Sequence, residues 1–109
     1  MPIKVEKLIH IGIRVDPEDD AIKVASEFYS GLLGFEIDGE RPGIPNIPGF
    51  WFNLSPGDRG QQLHVIGARG AFPASRSEKR DPTRSQMAFT VAGIDAAREE
   101  LNSRDVDFW

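Results

Sequence analysis

Two histidines, His10 and His64, give this 109-residue chain its widest chemical range near neutral pH. Each falls in an alternating segment, where successive side chains of a strand point to opposite faces. In Leu8-Ile9-His10-Ile11-Gly12-Ile13-Arg14-Val15, the residues Ile9, Ile11, Ile13 and Val15 take one face, while Leu8, His10, Gly12 and Arg14 take the other. In Gln61-Gln-Leu-His-Val-Ile66, Leu63 and Val65 share the apolar face, and Gln62 and His64 the opposite one. In Phe50-Trp-Phe-Asn-Leu-Ser55, Phe50, Phe52 and Leu54 lie on one face, with Trp51 and Asn53 on the other. The expectation is that the semi-polar faces line a cleft, with His10 at its chemical centre and Arg14, Trp51 and Asn53 as candidate lining residues. The plainer alternatives are a hydrogen-bonded histidine on a half-exposed strand and a tryptophan that only packs. The chain has no cysteine, which excludes a disulfide framework, a thiolate nucleophile and a thiolate metal site. Any metal would be held by imidazole, carboxylate or amide oxygen.

The elements that must position these residues follow in order. Asp16 is suited to cap a helix, Pro17 to its first turn, and the acids after it to the positive end of the helix dipole. Ala21, Val24, Ala25, Phe28 and Leu32 recur at helical spacing, which predicts a helix over about 17–33 closed by Gly34. A short strand follows over 35–38. Three prolines and two glycines make 41–49 a loop. Residues 56–60 read as a turn between the strands 50–55 and 61–66. From Arg69 to Ser85 the chain is polar and irregular. Arg69, Arg76, Lys79, Arg80 and Arg84 outweigh Glu78 and Asp81 there, for a net +3. Such a stretch is either a solvated linker or a basic flap over an anionic substrate. Gln86-Met-Ala-Phe-Thr-Val91 is a strand, with Met87, Phe89 and Val91 on one face and Gln86, Ala88 and Thr90 on the other. A helix over about 95–104, capped by Asp95, buries Ile94, Ala97 and Leu101. Val106-Asp-Phe-Trp109 begins a further strand.

Length bounds the chain to one domain or two small modules sharing a core. No apolar run approaches the roughly 20 residues that span a bilayer, and the start lacks the apolar core of a secretory signal. A net charge of -4 argues against a general nucleic-acid binder. The expected setting is the cytoplasm.

The two halves share a pattern. His10-Ile-Gly-Ile-Arg-Val15 matches Gln86-Met-Ala-Phe-Thr-Val91, and each is followed by an acid-capped helix and a short strand. The unit is strand, helix, strand, strand, strand. Module one covers about 5–68, a linker about 69–85, and a second module, incomplete in this sequence, about 86–109. The expectation is a truncated product, or a chain that completes its sheet by exchanging elements with a partner.

These residues resemble the vicinal oxygen chelate superfamily, which includes glyoxalase, bleomycin-resistance proteins and extradiol dioxygenases. The resemblance rests on His10-Ile-Gly-Ile-Arg-Val, Phe28-Tyr29-Ser-Gly-Leu-Leu-Gly-Phe-Glu36, Gln62-Leu-His-Val65, and Met87-Ala-Phe-Thr-Val91 with Asp95-Ala-Ala-Arg-Glu-Glu-Leu101. It covers nearly the whole chain. It implies an α+β fold of paired βαβββ modules forming a cupped sheet around a metal. Carried over by position, the metal ligands would be His10, His64 and Gln86, the last standing where many members have histidine. The final strand, which usually gives a glutamate, is not in this sequence. Two imidazoles and an amide oxygen suit Fe, Mn, Ni or Zn better than calcium.

Two functions follow from this. One is a metal-dependent lyase, isomerase or dioxygenase acting on a small oxygen-rich substrate, in which the metal polarises a carbonyl or enediolate oxygen. Its general base would ordinarily be a metal-ligating carboxylate, which is not identifiable in this sequence. The other is a metal-free binding protein of the bleomycin-resistance type. A homodimer, strand-exchanged or not, is the expected assembly, with a small molecule as the ligand and neither nucleic acid nor membrane as a partner.

Overall fold

The computed structural model of the chain describes residues 2–71, 81 and 83–108. Five strands form one open sheet: β1 (Val5–Val15), β2 (Glu36–Ile37), β3 (Gly49–Ser55), β4 (Asp58–Gly67) and β5 (Gln86–Val91). Their spatial order is β2-β3-β4-β1-β5. Helix α1 (Asp19–Ser26) runs straight into a wider π-helical segment, Glu27–Leu32, and α2 (Ile94–Ser103) follows β5. The chain is therefore a mixed α+β fold. β1 lies parallel to β4 and antiparallel to β5. Parallel neighbours need a long crossover, and α1, β2 and β3 provide it.

The core sits on one face of the sheet. Ala25 of α1 meets Phe52 and Val65, and Ile13, Val15, Tyr29, Phe35, Phe50 and Leu63 pack around them. Those strand residues are the ones that alternation assigned to the apolar face, because burial selects a single register for each strand. Tyr29 stacks near Phe35 and Phe52, at ring-centroid distances of 6.3 and 5.8 Å. Pairing slips at three places. That of β1 with β5 slips between Val5 and Lys7 and again between Leu8 and His10, and that of β3 with β4 slips after Asn53. Leu54, at the last of these, is exposed.

Several boundaries differ from expectation, each for a local reason. The first helix starts at Asp19, with Glu18 as its N-cap residue, and Asp16 is no cap. The Asp16 carboxylate instead accepts the Glu18 amide at 3.0 Å and the Arg69 guanidinium at 2.7 Å. Gly34 does close the helix, at φ +75, where only glycine avoids a steric cost. The turn before β4 contracts to Pro56 and Gly57, because Asp58 already pairs with Ser55. Ile94 is exposed, whereas Ala97 is buried. Residues 106–108 form no strand. The chain leaves α2 through Asp105 at φ +54, with the Val106 amide bonded to the Leu101 carbonyl at 2.9 Å and the Asp105 amide to Asn102. These two bonds make a Schellman closure, which turns the chain away from the helix axis. Within the polar stretch, Arg69 pairs with Asp16 and Glu18, and Arg84 with Asp81. Arg76, Glu78, Lys79 and Arg80, like Trp109, lie outside the described residues. Among the described residues, no helix is long and apolar enough to cross a membrane.

Candidate functional site

The sheet face opposite the core is built in transverse rows. Trp51 pairs with His64, His64 with Gly12, and Gly12 with Gln86, which sets one row across β3, β4, β1 and β5. The next row runs Glu36, Asn53, Gln62, His10 and Ala88. Register therefore brings His10, His64, Gln86, Trp51 and Asn53 to one face. Gly12 is what lets this face close up. A Cβ there would stand 2.6 Å from Cγ of Gln86, so the missing side chain makes room for Gln86 to lie across β1.

Three rings stack along the face. Trp51 and His64 lie 4.4 Å apart between centroids at an interplanar angle of 6°, and His64 and His10 lie 3.9 Å apart at 18°. His64 is the buried middle layer. Burial pushes its pKa down to about 4, helped by the neighbouring His10 and the Arg41 charge. Burial also lowers His10. Both imidazoles are therefore neutral at pH 7.

A polar network fixes how His64 carries its proton. Asp38 and Glu36 are carboxylates and can only accept hydrogen bonds. The Gln62 amide nitrogen donates to Asp38 Oδ2 and to Asn53 Oδ1, both at 2.8 Å, and Asn53 Nδ2 donates to Glu36 Oε1 at 3.0 Å. The Gln62 oxygen is thereby left as an acceptor, and it lies 2.8 Å from Nε2 of His64. So Nε2 bears the hydrogen and Nδ1 keeps a lone pair. Asp38 is held below the usual carboxylate range by the Glu40 amide and then by Gln62 and Arg59. Glu36 is likewise lowered by Asn53 and the Gly57 amide.

Beside the stack lies a cavity of about 260 Å³. Ile44, Ile47 and Ile66 wall it, Trp51 and His64 present their rings to it, and Arg41 stands at its edge. The proline-rich loop before β3 brings Arg41, Ile44 and Ile47 there. It is pinned by Arg41 Nη2 donating to the Ile47 carbonyl at 2.9 Å and by the Gly67 amide donating to Pro48 at 2.7 Å. Thr83 and Gln86 complete the lining.

Of the residues expected at a cleft, Trp51, His64 and Gln86 line this cavity, and His10 lies behind His64. Asn53 is buried within the polar network. Arg14 serves the fold: its guanidinium donates to the Thr83 carbonyl and hydroxyl, at 3.1 and 2.6 Å, and lies 3.7 Å from the buried Asp81 carboxylate. Sequence reasoning gave no role to Arg41, Ile44, Ile47, Asp38 or Gln62. A loop rigidified by prolines beside a strand with an exposed ring is a usual place for binding residues, and that was the available signal for the first three.

The resemblance implies a divalent metal, and these side chains do not fit one as they stand. Imidazole lone pairs lie in the ring planes. Planes 3.9 Å apart and inclined by 18° converge only at a distance on the order of 10 Å, against a metal–nitrogen bond of about 2 Å. Nε2 of His64 is occupied by Gln62. Among the described residues, no three His, Cys, Asp or Glu side chains gather as a metal site.

No family model matches the chain, and no curated protein is significantly similar to it.

Proposed function

We propose that this chain is a small-molecule binding protein whose cleft, between the Trp51–His64 stack and the proline-rich loop, works without a metal. The observation that carries this reading is the parallel packing of His10, His64 and Trp51. It spends the two imidazoles on stacking and leaves an apolar cavity with one ring system as its floor. Binding pockets are typically apolar with a few placed polar groups, and this one has that composition at small size. The competing reading is a metal-dependent lyase, isomerase or dioxygenase using Fe, Mn, Ni or Zn. It requires His10 to leave the stack so that its nitrogen converges with His64 and Gln86.

Membership of the vicinal oxygen chelate superfamily, with paired βαβββ modules, belongs to the same proposal. The order β1, α1, β2, β3, β4 agrees with one such unit, and β5 with α2 agrees with the start of another. The proposed assembly is a homodimer, because Met87 and Phe89 are exposed on the edge strand β5 and a two-fold contact is self-complementary.

Ligand-observed NMR of a fragment mixture in excess EDTA tests the binding function, with wild type set beside Trp51→Ala. Binders retained in EDTA and lost in the variant are expected. Binders indifferent to the variant, or appearing only when a divalent metal replaces EDTA, contradict it. In the latter case His10→Ala should lower metal affinity by orders of magnitude.

A further inference from the structure

The cavity holds one charge, that of Arg41, with no counter-ion among the described residues. Arg41 is half-buried beside Ile44 and Ile47, and among the described residues its guanidinium donates only to the neutral Ile47 carbonyl. No carboxylate among those residues lies within ion-pair distance of it. The other described arginines on this side are matched: Arg59 by Asp38 and Glu40, Arg14 by Asp81, and Arg84 by Asp81. The acids nearest the stack do not offer Arg41 a free charge. Asp38 is bonded to the Glu40 amide, Arg59 and Gln62, and Glu36 to Asn53 and the Gly57 amide. A guanidinium withdrawn from water without a counter-ion is an unfinished pair. Its planar fork matches the two oxygens of a carboxylate.

The remaining walls set the rest of the ligand. Three isoleucines and the Trp51 ring in the lining favour a flat apolar body. The volume of 260 Å³ exceeds the roughly 150 Å³ of a cavity that takes benzene, so a substituted ring has room.

From this juxtaposition we propose that the cavity takes a small planar carboxylate, with its carboxyl group on Arg41 and its ring against Trp51 and the isoleucines. The assignment rests on the reading of the cleft as a metal-free binding site. His64 serves as a neutral wall in it, so no positive charge other than that of Arg41 is needed within the cavity.

Benzoate and its neutral isostere benzamide are the probes. Each is titrated in EDTA into protein labelled with 15N, following the Trp51 indole and His64 ring resonances. The wild type should bind benzoate at least about tenfold more tightly than benzamide. Arg41→Gln should erase that preference, and Arg41→Lys should retain part of it. Equal affinity of wild type for the two probes overturns the carboxylate assignment and leaves the binding function standing. So does a benzoate preference that survives Arg41→Gln. If neither probe moves the Trp51 and His64 resonances at millimolar concentration, the assignment is overturned, and the metal-free cleft falls with it only if the fragment mixture in EDTA also gives no binder. Equal wild-type affinities overturn the assignment without any variant, and the partial loss of preference in Arg41→Lys tests it if Arg41→Gln fails to fold.

Discussion

At the residue scale, His64 is the most informative group. Its folded pKa of about 4 lies below the 6.5 of an unperturbed histidine, so between these values the unfolded chain binds the proton and the folded chain does not. The stabilisation from keeping His64 neutral is full above pH 6.5 and declines as pH falls toward 4. Over that window the loss should be about 2–4 kcal/mol, measured by urea denaturation at stepped pH. An NMR titration placing the His64 midpoint near 6.5 would contradict the burial argument. Gln62 gives a second prediction. Gln62→Leu strips His64 Nε2 of its acceptor and Asp38 of a donor, and should destabilise the fold by about 1–3 kcal/mol. The same change should release His64 to the other tautomer, visible in its ring nitrogen shifts. Alternation made the shared face of Gln62 and His64 legible in the sequence. The hydrogen-bond partners were not legible, because Asp38 and Asn53 reach Gln62 only after three strands take up their register.

At the scale of elements, the alternating strands were readable because one face must bury apolar side chains, and the pattern has a period of two. The bulges, the helix start and the cavity loop were not readable. They depend on contacts between distant segments, such as Arg69 with Asp16. The clearest case is the segment entering β5. Arg14 was read as a cleft residue, yet it fastens Thr83 and faces the buried Asp81, which also accepts the Thr83 amide and hydroxyl at 2.9 and 2.6 Å. Arg14→Met keeps much of the volume and removes these donors. It should cost about 1–3 kcal/mol, since it removes the donors to Thr83 and one of the guanidinium charges beside the buried Asp81. Hydrogen exchange of the Thr83 amide should accelerate with it. Unchanged exchange would show that the segment is held by other means.

At the scale of the whole molecule, one side of the sheet is only partly covered. Beyond α1, Ile11 pairs with Met87 on the core-side face, and Met87 is 65% exposed and Phe89 50% exposed. Val24, Phe28 and Leu32 are also exposed, and β5 is an edge strand. Exposed large apolar side chains suit an association surface, and an open strand edge adds backbone groups to it. The chain should therefore sediment as a dimer at micromolar concentration, and Met87→Lys with Phe89→Lys should return it to the monomer. A monomeric wild type would contradict the proposed assembly. The pattern repeat between the strands of His10 and Gln86 indicated a second unit. The sequence did not show how little of β5 one copy covers, because coverage depends on where α2 lies.

The central claim is that the cleft binds its ligand without a metal, and the most direct measurement is benzoate titration of labelled wild-type protein in EDTA, repeated with Zn or Mn in place of EDTA. The account predicts saturable shifts of the Trp51 indole and His64 ring resonances in EDTA, with the same affinity when metal is supplied. Shifts that appear only with the metal, accompanied by His10 leaving its stack on His64, would contradict it.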